Sequence, residues 1–74
     1  MKERPSLEKL AEKLPPMIAR DHVEDFLGGV ISSKRLANLD SLGEGPKRIR
    51  IGRKIAYKTN DFLEWLESRA NLLA

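Results

Sequence analysis

Apolar residues along the chain change their spacing from one segment to the next, and each spacing predicts a different element. Leu7, Leu10, Ala11 and Leu14 fall at i, i+3, i+4 and i+7, one stripe of a helix, and Ser6 stands where an N-cap belongs. Pro15-Pro16 ends that helix and separates it from everything downstream. The segment therefore reads as an accessory helix, laid onto the main module or offered to a partner, with packing on its own domain the commoner outcome. From Arg20 or Asp21 a short helix is predicted to about Leu27, with Val23, Phe26 and Leu27 on one face and Asp21, Glu24 and Asp25 toward its positive end. Gly28-Gly29 stops it. After Val30-Ile31, Ser32-Ser33 can cap a second helix through about Leu42 that turns Leu36, Leu39 and Leu42 inward, and Gly43 is a natural residue just past its end.

Between Lys47 and Lys58 the spacing switches to the alternation of strands, predicting a β-hairpin. A two-residue loop at Gly52-Arg53 would pair Arg50 with Ile55 and Ile49 with Ala56, mixing charged and apolar residues on each face. A three-residue loop, Gly52 to Lys54, pairs Ile51 with Ile55 and Ile49 with Tyr57. The second register is the better segregated. It sends Ile49, Ile51, Ile55 and Tyr57 to the core and Arg48, Arg50, Ala56 and Lys58 to the opposite face, with Arg53 and Lys54 at the tip. A last helix follows, capped by Thr59 or Asn60, with Asp61 in its first turn, running to about Ala70 and burying Phe62, Trp65 and Leu66. Trp65 is the predicted keystone of the core, so that Trp65→Ala should cost about 3–5 kcal/mol. Asn71 to Ala74 forms a tail without clear signal. The pattern as a whole predicts a mostly α domain with a small β-hairpin, an α+β fold.

Charge alters this picture at one place. The twelve residues of the hairpin carry six basic side chains and no acidic one, and Lys34 to Lys58 holds eight basic residues against Asp40 and Glu44, although the whole chain is only +3. A molecule so polarised has a basic and an acidic face, which suits an oriented encounter with a polyanion such as nucleic acid. At 74 residues the chain has room for one small core and little room for a deep substrate pocket. It has no cysteine, so neither disulfides nor thiolate metal sites are available, and a reducing, cytoplasmic setting fits best. No run approaches the roughly 18 apolar residues of a spanning helix, and no secretory signal core is evident.

Little in the residues points to catalysis. His22, beside Asp21, Glu24 and Asp25, reads as a solvated helix start more readily than as a metal site. No serine has an evident base and orienting acid at hand. Gly43-Glu-Gly-Pro46 lacks the Lys-Ser/Thr of a phosphate loop, and its glutamate would repel phosphate. The expectation is a non-enzyme without metal or cofactor.

Two short helices joined by a glycine turn form the pattern of a helix-turn-helix. Leu27-Gly28, then Ser33-Lys-Arg-Leu-Ala-Asn38, Gly45-Pro46, Ile49-x-Ile-Gly-Arg-Lys-x-x-Tyr57 and Asp61-Phe-x-x-Trp-Leu66 together make a longer string. It resembles the small MerR-like winged helix-turn-helix proteins known as excisionases and prophage regulators, over about Ala19 to Arg69. With the accessory segment and Pro-Pro linker at residues 1–16 and the tail at 71–74 read from the residues, the resemblance implies that the domain at 17–70 is a winged helix-turn-helix. It further implies that Ser33, Lys34, Arg35 and Asn38 face DNA from the second, recognition helix, and that Arg48, Arg50, Arg53, Lys54 and Lys58 do so from the wing. Leu39 and Asp40 stand where relatives often have an aromatic and a basic residue, and Ile18 to Glu24 lacks the usual Thr-x-x-Glu-Val-Ala opening.

The function expected on this basis is sequence-specific binding of double-stranded DNA by a phage or bacterial protein. As an excisionase, or recombination directionality factor, it would bind repeated sites, bend the DNA and assist an integrase, with other copies of itself alongside. A small transcriptional regulator would use the same surface, as would a recognition module for packaging or replication. A protein-interaction adaptor is the rival from another class, docking through Leu7 to Leu14 or through the acidic face of Asp61, Glu64 and Glu67.

Overall fold

The one helix with both a predicted cap and a predicted stop among the described residues, from Ser32-Ser33 to Gly43, corresponds to an observed α-helix. In the computed structural model, which describes residues 7–70, helix α2 spans Ser33–Ser41, and the Ser32 side chain accepts a hydrogen bond from the Arg35 amide at 3.0 Å. Its C-terminal turn ends at Gly43, whose φ is +74°. The first helix of the pair is tighter than its apolar spacing suggests: a 3-10 turn at Arg20–His22 passes into the single α-turn α1, Val23–Phe26. Val23 is fully buried whereas Phe26 stays largely exposed. Leu42, expected to face inward, lies past the end of α2 and is exposed. Helix α3 spans Thr59–Arg69. The predicted cap at Ser6 and the tail from Asn71, including Leu72 and Leu73, lie outside the described residues.

Strand β1, Met17–Ala19, is an element that the apolar spacing does not signal. Three residues are too few to display an alternation, and the preceding prolines read only as a helix stop. With β2, Ile49–Ile51, and β3, Lys54–Lys58, it forms an antiparallel sheet in the order β1-β3-β2. The hairpin strand β3 is thus the central strand of a sheet. Ile18 lies opposite Tyr57, and both are completely buried.

The hairpin takes the register rejected above. Ile49 pairs with Ala56, Arg50 with Ile55 and Ile51 with Lys54, which leaves Gly52-Arg53 as a two-residue loop. Gly52 has φ +62° while no other kind of residue in the described chain has positive φ, so the loop is of the II′ kind, with glycine required at its first position. A two-residue loop with the right-handed twist of its strands outweighs the segregation of apolar residues. Because side chains alternate, the change of loop length turns β2 over. Ile49 and Ile51 leave the core face, Ile51 being 54% exposed. Arg48 and Arg50 move to the face that carries Ile55 and Tyr57.

The core consists of Ile18, Val23, Leu36, Tyr57 and Phe62, with Leu14, Leu27, Ile31, Ile55, Trp65 and Leu66 packed around it. Trp65 is therefore a rim residue and not the keystone. Its ring lies 5.8 Å from Phe62 and under the Arg69 guanidinium at 5.3 Å, and its Nε1 donates to the Glu44 carbonyl at 2.9 Å. On the opposite side of α3, Leu63 is buried. Thr59 does not cap α3 in the expected way, since Lys58 occupies the N-cap position. Instead the Thr59 hydroxyl donates to the Pro15 carbonyl and its amide to the Pro16 carbonyl, tying the Pro-Pro segment to the start of α3. The accessory segment forms a 3-10 helix, Glu8–Lys13, that packs against α3, and the Leu7 amide donates to Glu67 Oε1 at 2.5 Å. Leu14, just past its end, packs against the core cluster.

Candidate nucleic-acid interface

The exposed side of α2 follows from which of its residues the core claims. Leu36 and Leu39 face the core, so Lys34, Arg35 and Asn38, at the complementary helical positions, are left in solvent. Ser33 differs from them. Its amide and hydroxyl both donate to Glu24 Oε1, at 2.9 and 3.2 Å, which fastens α1 to the start of α2. Of the four residues expected on this helix, three stand free in solvent and one is engaged in joining the two helices.

Asp40 is the residue whose place the sequence did not disclose. An acid at the exposed end of this helix would repel phosphate, but the side chain turns inward and is 5% exposed. Its Oδ2 accepts from Arg20 Nη1 at 3.0 Å and from the Tyr57 hydroxyl at 2.6 Å. Burial works against the Arg20 charge, but the Asp40 hydrogen bond and the neighbouring Tyr57 oxygen outweigh it and hold the guanidinium above its ordinary value. Burial, and then the bond to Asp40, push the Tyr57 hydroxyl well above its ordinary value. With Asp40 withdrawn, α2 exposes no acidic side chain.

The hairpin residues separate into three situations. Arg48 Nη1 donates to the Asp40 main-chain carbonyl at 3.4 Å, so the arm of the hairpin reaches the end of α2. Arg50 folds back onto the loop, its Nε donating to the Gly52 carbonyl at 3.2 Å, while its side chain remains exposed. Lys54 is paired with Asp21 at 2.6 Å, and that hydrogen bond, followed by the lysine charge, holds the Asp21 carboxyl below its ordinary value. Arg53, at the loop, and Lys58 are exposed and without an ion-pair partner among the described residues. Lys58 lies on the face of β3 opposite Tyr57, across from Met17. Thus the structure brings Arg48 and Arg50 to the α2 side of the sheet, leaves Arg53 at the tip and places Lys54 and Lys58 on the reverse.

Elsewhere, His22 lies 3.6 Å from Asp25 on the exposed first turn. Among the described residues no group of three or more potential ligands is arranged to hold a metal ion, and no helix is long and apolar enough to cross a membrane. An open apolar groove of about 420 Å³ runs between the accessory 3-10 helix, α1 and the end of α3, lined by Leu10, Phe26, Val30 and Leu66 among others. No family model, curated protein or solved structure matches the chain.

Proposed function

We propose that the protein binds double-stranded DNA in the manner of a winged helix-turn-helix, laying α2 in the major groove and the β2–β3 hairpin along the adjacent backbone. One observation carries this reading: the acidic residue of α2 is buried, leaving a helix face of Lys34, Arg35 and Asn38 beside a hairpin whose exposed charges are all basic. Basic side chains on two neighbouring elements fit the phosphate backbone, and Arg and Asn side chains are the ones that read guanine and adenine edges. The order of helix pair, hairpin and final helix supports the same reading, as does the resemblance of Gly45 to Leu66 to excisionases and prophage regulators.

Within that class the finer reading is an excisionase. A single small module contacts few base pairs, so useful specificity calls for several copies side by side on repeated sites, with bending stabilised by backbone contacts and an integrase as the partner. Footprinting on the DNA flanking the gene tests both levels. Protection of short direct repeats with bending is the expected result; protection confined to a promoter would instead make the protein a transcriptional regulator using the same surface. Undetectable binding to any duplex at low salt would overturn the DNA reading and favour an adaptor acting through the apolar groove at Leu10, Phe26 and Val30.

A further inference from the structure

Asp40 occupies an unfavourable place. It is the penultimate residue of α2, where the helix dipole is negative, and it is buried, so both the dipole and desolvation oppose its charge. What it does there is gather four separate stretches of chain. Arg20, just after β1, and Tyr57, in β3, both donate to Oδ2; Arg48, leading into β2, donates to its main-chain carbonyl; and Gly45, in the connector, lies against Oδ1. The last contact is intimate. A Cβ at Gly45 would come within 2.0 Å of Oδ1, although Gly45 has no positive φ that would by itself call for glycine. Oδ1 is also buried without a hydrogen-bond partner among the described residues, so the carboxylate is held by one oxygen and wedged by the other.

We propose that Asp40 is a positioning residue, a latch that sets the angle between α2 and the β2–β3 hairpin; its use in presenting both elements to one stretch of duplex rests on the DNA reading above. Neither element packs broadly on the other. The Tyr57 and Arg48 bonds are the side-chain hydrogen bonds that tie the sheet and hairpin arm to α2. Two binding elements held at a fixed spacing engage a common ligand far more strongly than the same two on a loose joint, because the second contact becomes intramolecular.

The absence of cysteine makes the latch directly measurable. With Asn38→Cys and Arg53→Cys as the sole thiols, paired spin labels report the distance from α2 to the hairpin tip. A single narrow distribution is expected in the otherwise native chain, and a broadened or displaced one when Gly45→Ala, Asp40→Asn or Tyr57→Phe is added. Leu66→Ala, which loosens packing away from the latch, should leave the distribution narrow. If Gly45→Ala or Asp40→Asn fails to fold, Tyr57→Phe, which removes one hydroxyl, decides. Without the labels, Gly45→Ala should weaken binding to the preferred duplex by at least about tenfold with an unchanged salt slope, since no basic side chain has been lost. Unchanged distances in the folded variants would overturn the latch whatever the DNA result. If the native chain binds no duplex but the distances respond, the DNA reading fails and the latch stands.

Discussion

Tyr57 serves the fold twice, as a fully buried ring 5.3 Å from Phe62 and as a hydroxyl donor to Asp40. Tyr57→Phe keeps the first role and removes the second, leaving a buried carboxylate short of a donor, and should cost about 1–3 kcal/mol in urea denaturation. Because it is the only tyrosine, its ionisation can be followed by tyrosinate absorbance without interference. Burial and the bond to Asp40 raise its pKa in the folded chain, so the native state holds the proton more tightly than the unfolded state. The associated stability is complete below the unfolded value of about 10 and declines as pH rises above it toward the folded value, so alkaline unfolding and tyrosinate formation should coincide. Tyrosinate appearing near pH 10 in a still-folded chain would contradict this. A parallel contrast holds between the other two aromatic residues of the cluster: Phe62→Ala should cost about 3–5 kcal/mol, and Trp65→Ala less, because only the first leaves a fully enclosed cavity. Equal losses in melting temperature would restore Trp65 to the central place its spacing predicts.

At the scale of elements, the hairpin shows which local signal dominates. Alternation favoured a three-residue loop, yet the chain takes the two-residue turn that Gly52 can form at φ +62°. Gly52→Ala forces a side chain into the left-handed region and should destabilise the fold by about 1–2 kcal/mol. Amide exchange in β2 should rise more than in β1, which the hairpin loop does not hold. Uniform loss of protection across all three strands would indicate a sheet that opens as one unit. The accessory segment teaches the converse. Its stripe of leucines was legible, but its attachment through Thr59 and the proline carbonyls depends on residues 44 positions apart.

For the molecule as a whole, the proposed DNA-binding surface divides into groups whose substitutions should have separable effects. Arg53→Ala, at the exposed loop, should weaken binding to every duplex and reduce the salt slope by about 1. A change confined to one base position would contradict a backbone role. Arg35→Ala or Asn38→Ala should instead cost about 1–3 kcal/mol on the preferred site and relax one position of it, measured by competition against single-base variants. Equal losses on random DNA would remove base reading from α2. Lys54→Ala should matter less than Arg53→Ala, since Lys54 is already paired with Asp21.

Legible in the chain before folding were helix α2 with its serine cap and glycine stop, the presence of a hairpin, and the concentration of basic residues between Lys34 and Lys58. These are local properties, set by residues within a few positions of one another. The side of β2 that faces α2 follows from the local turn at Gly52, but the third strand at Met17–Ala19 and the burial of Asp40 emerge only in the folded chain. In both of the latter the deciding partner is distant in the chain: β1 exists because β3 offers it an edge, and Asp40 turns inward because Arg20 and Tyr57 meet it there. An isolated acidic residue at a helix end carries no sign of such partners. Only folding supplies the hydrogen bonds that offset its desolvation, and with it the acid-free face of α2 on which the DNA reading depends.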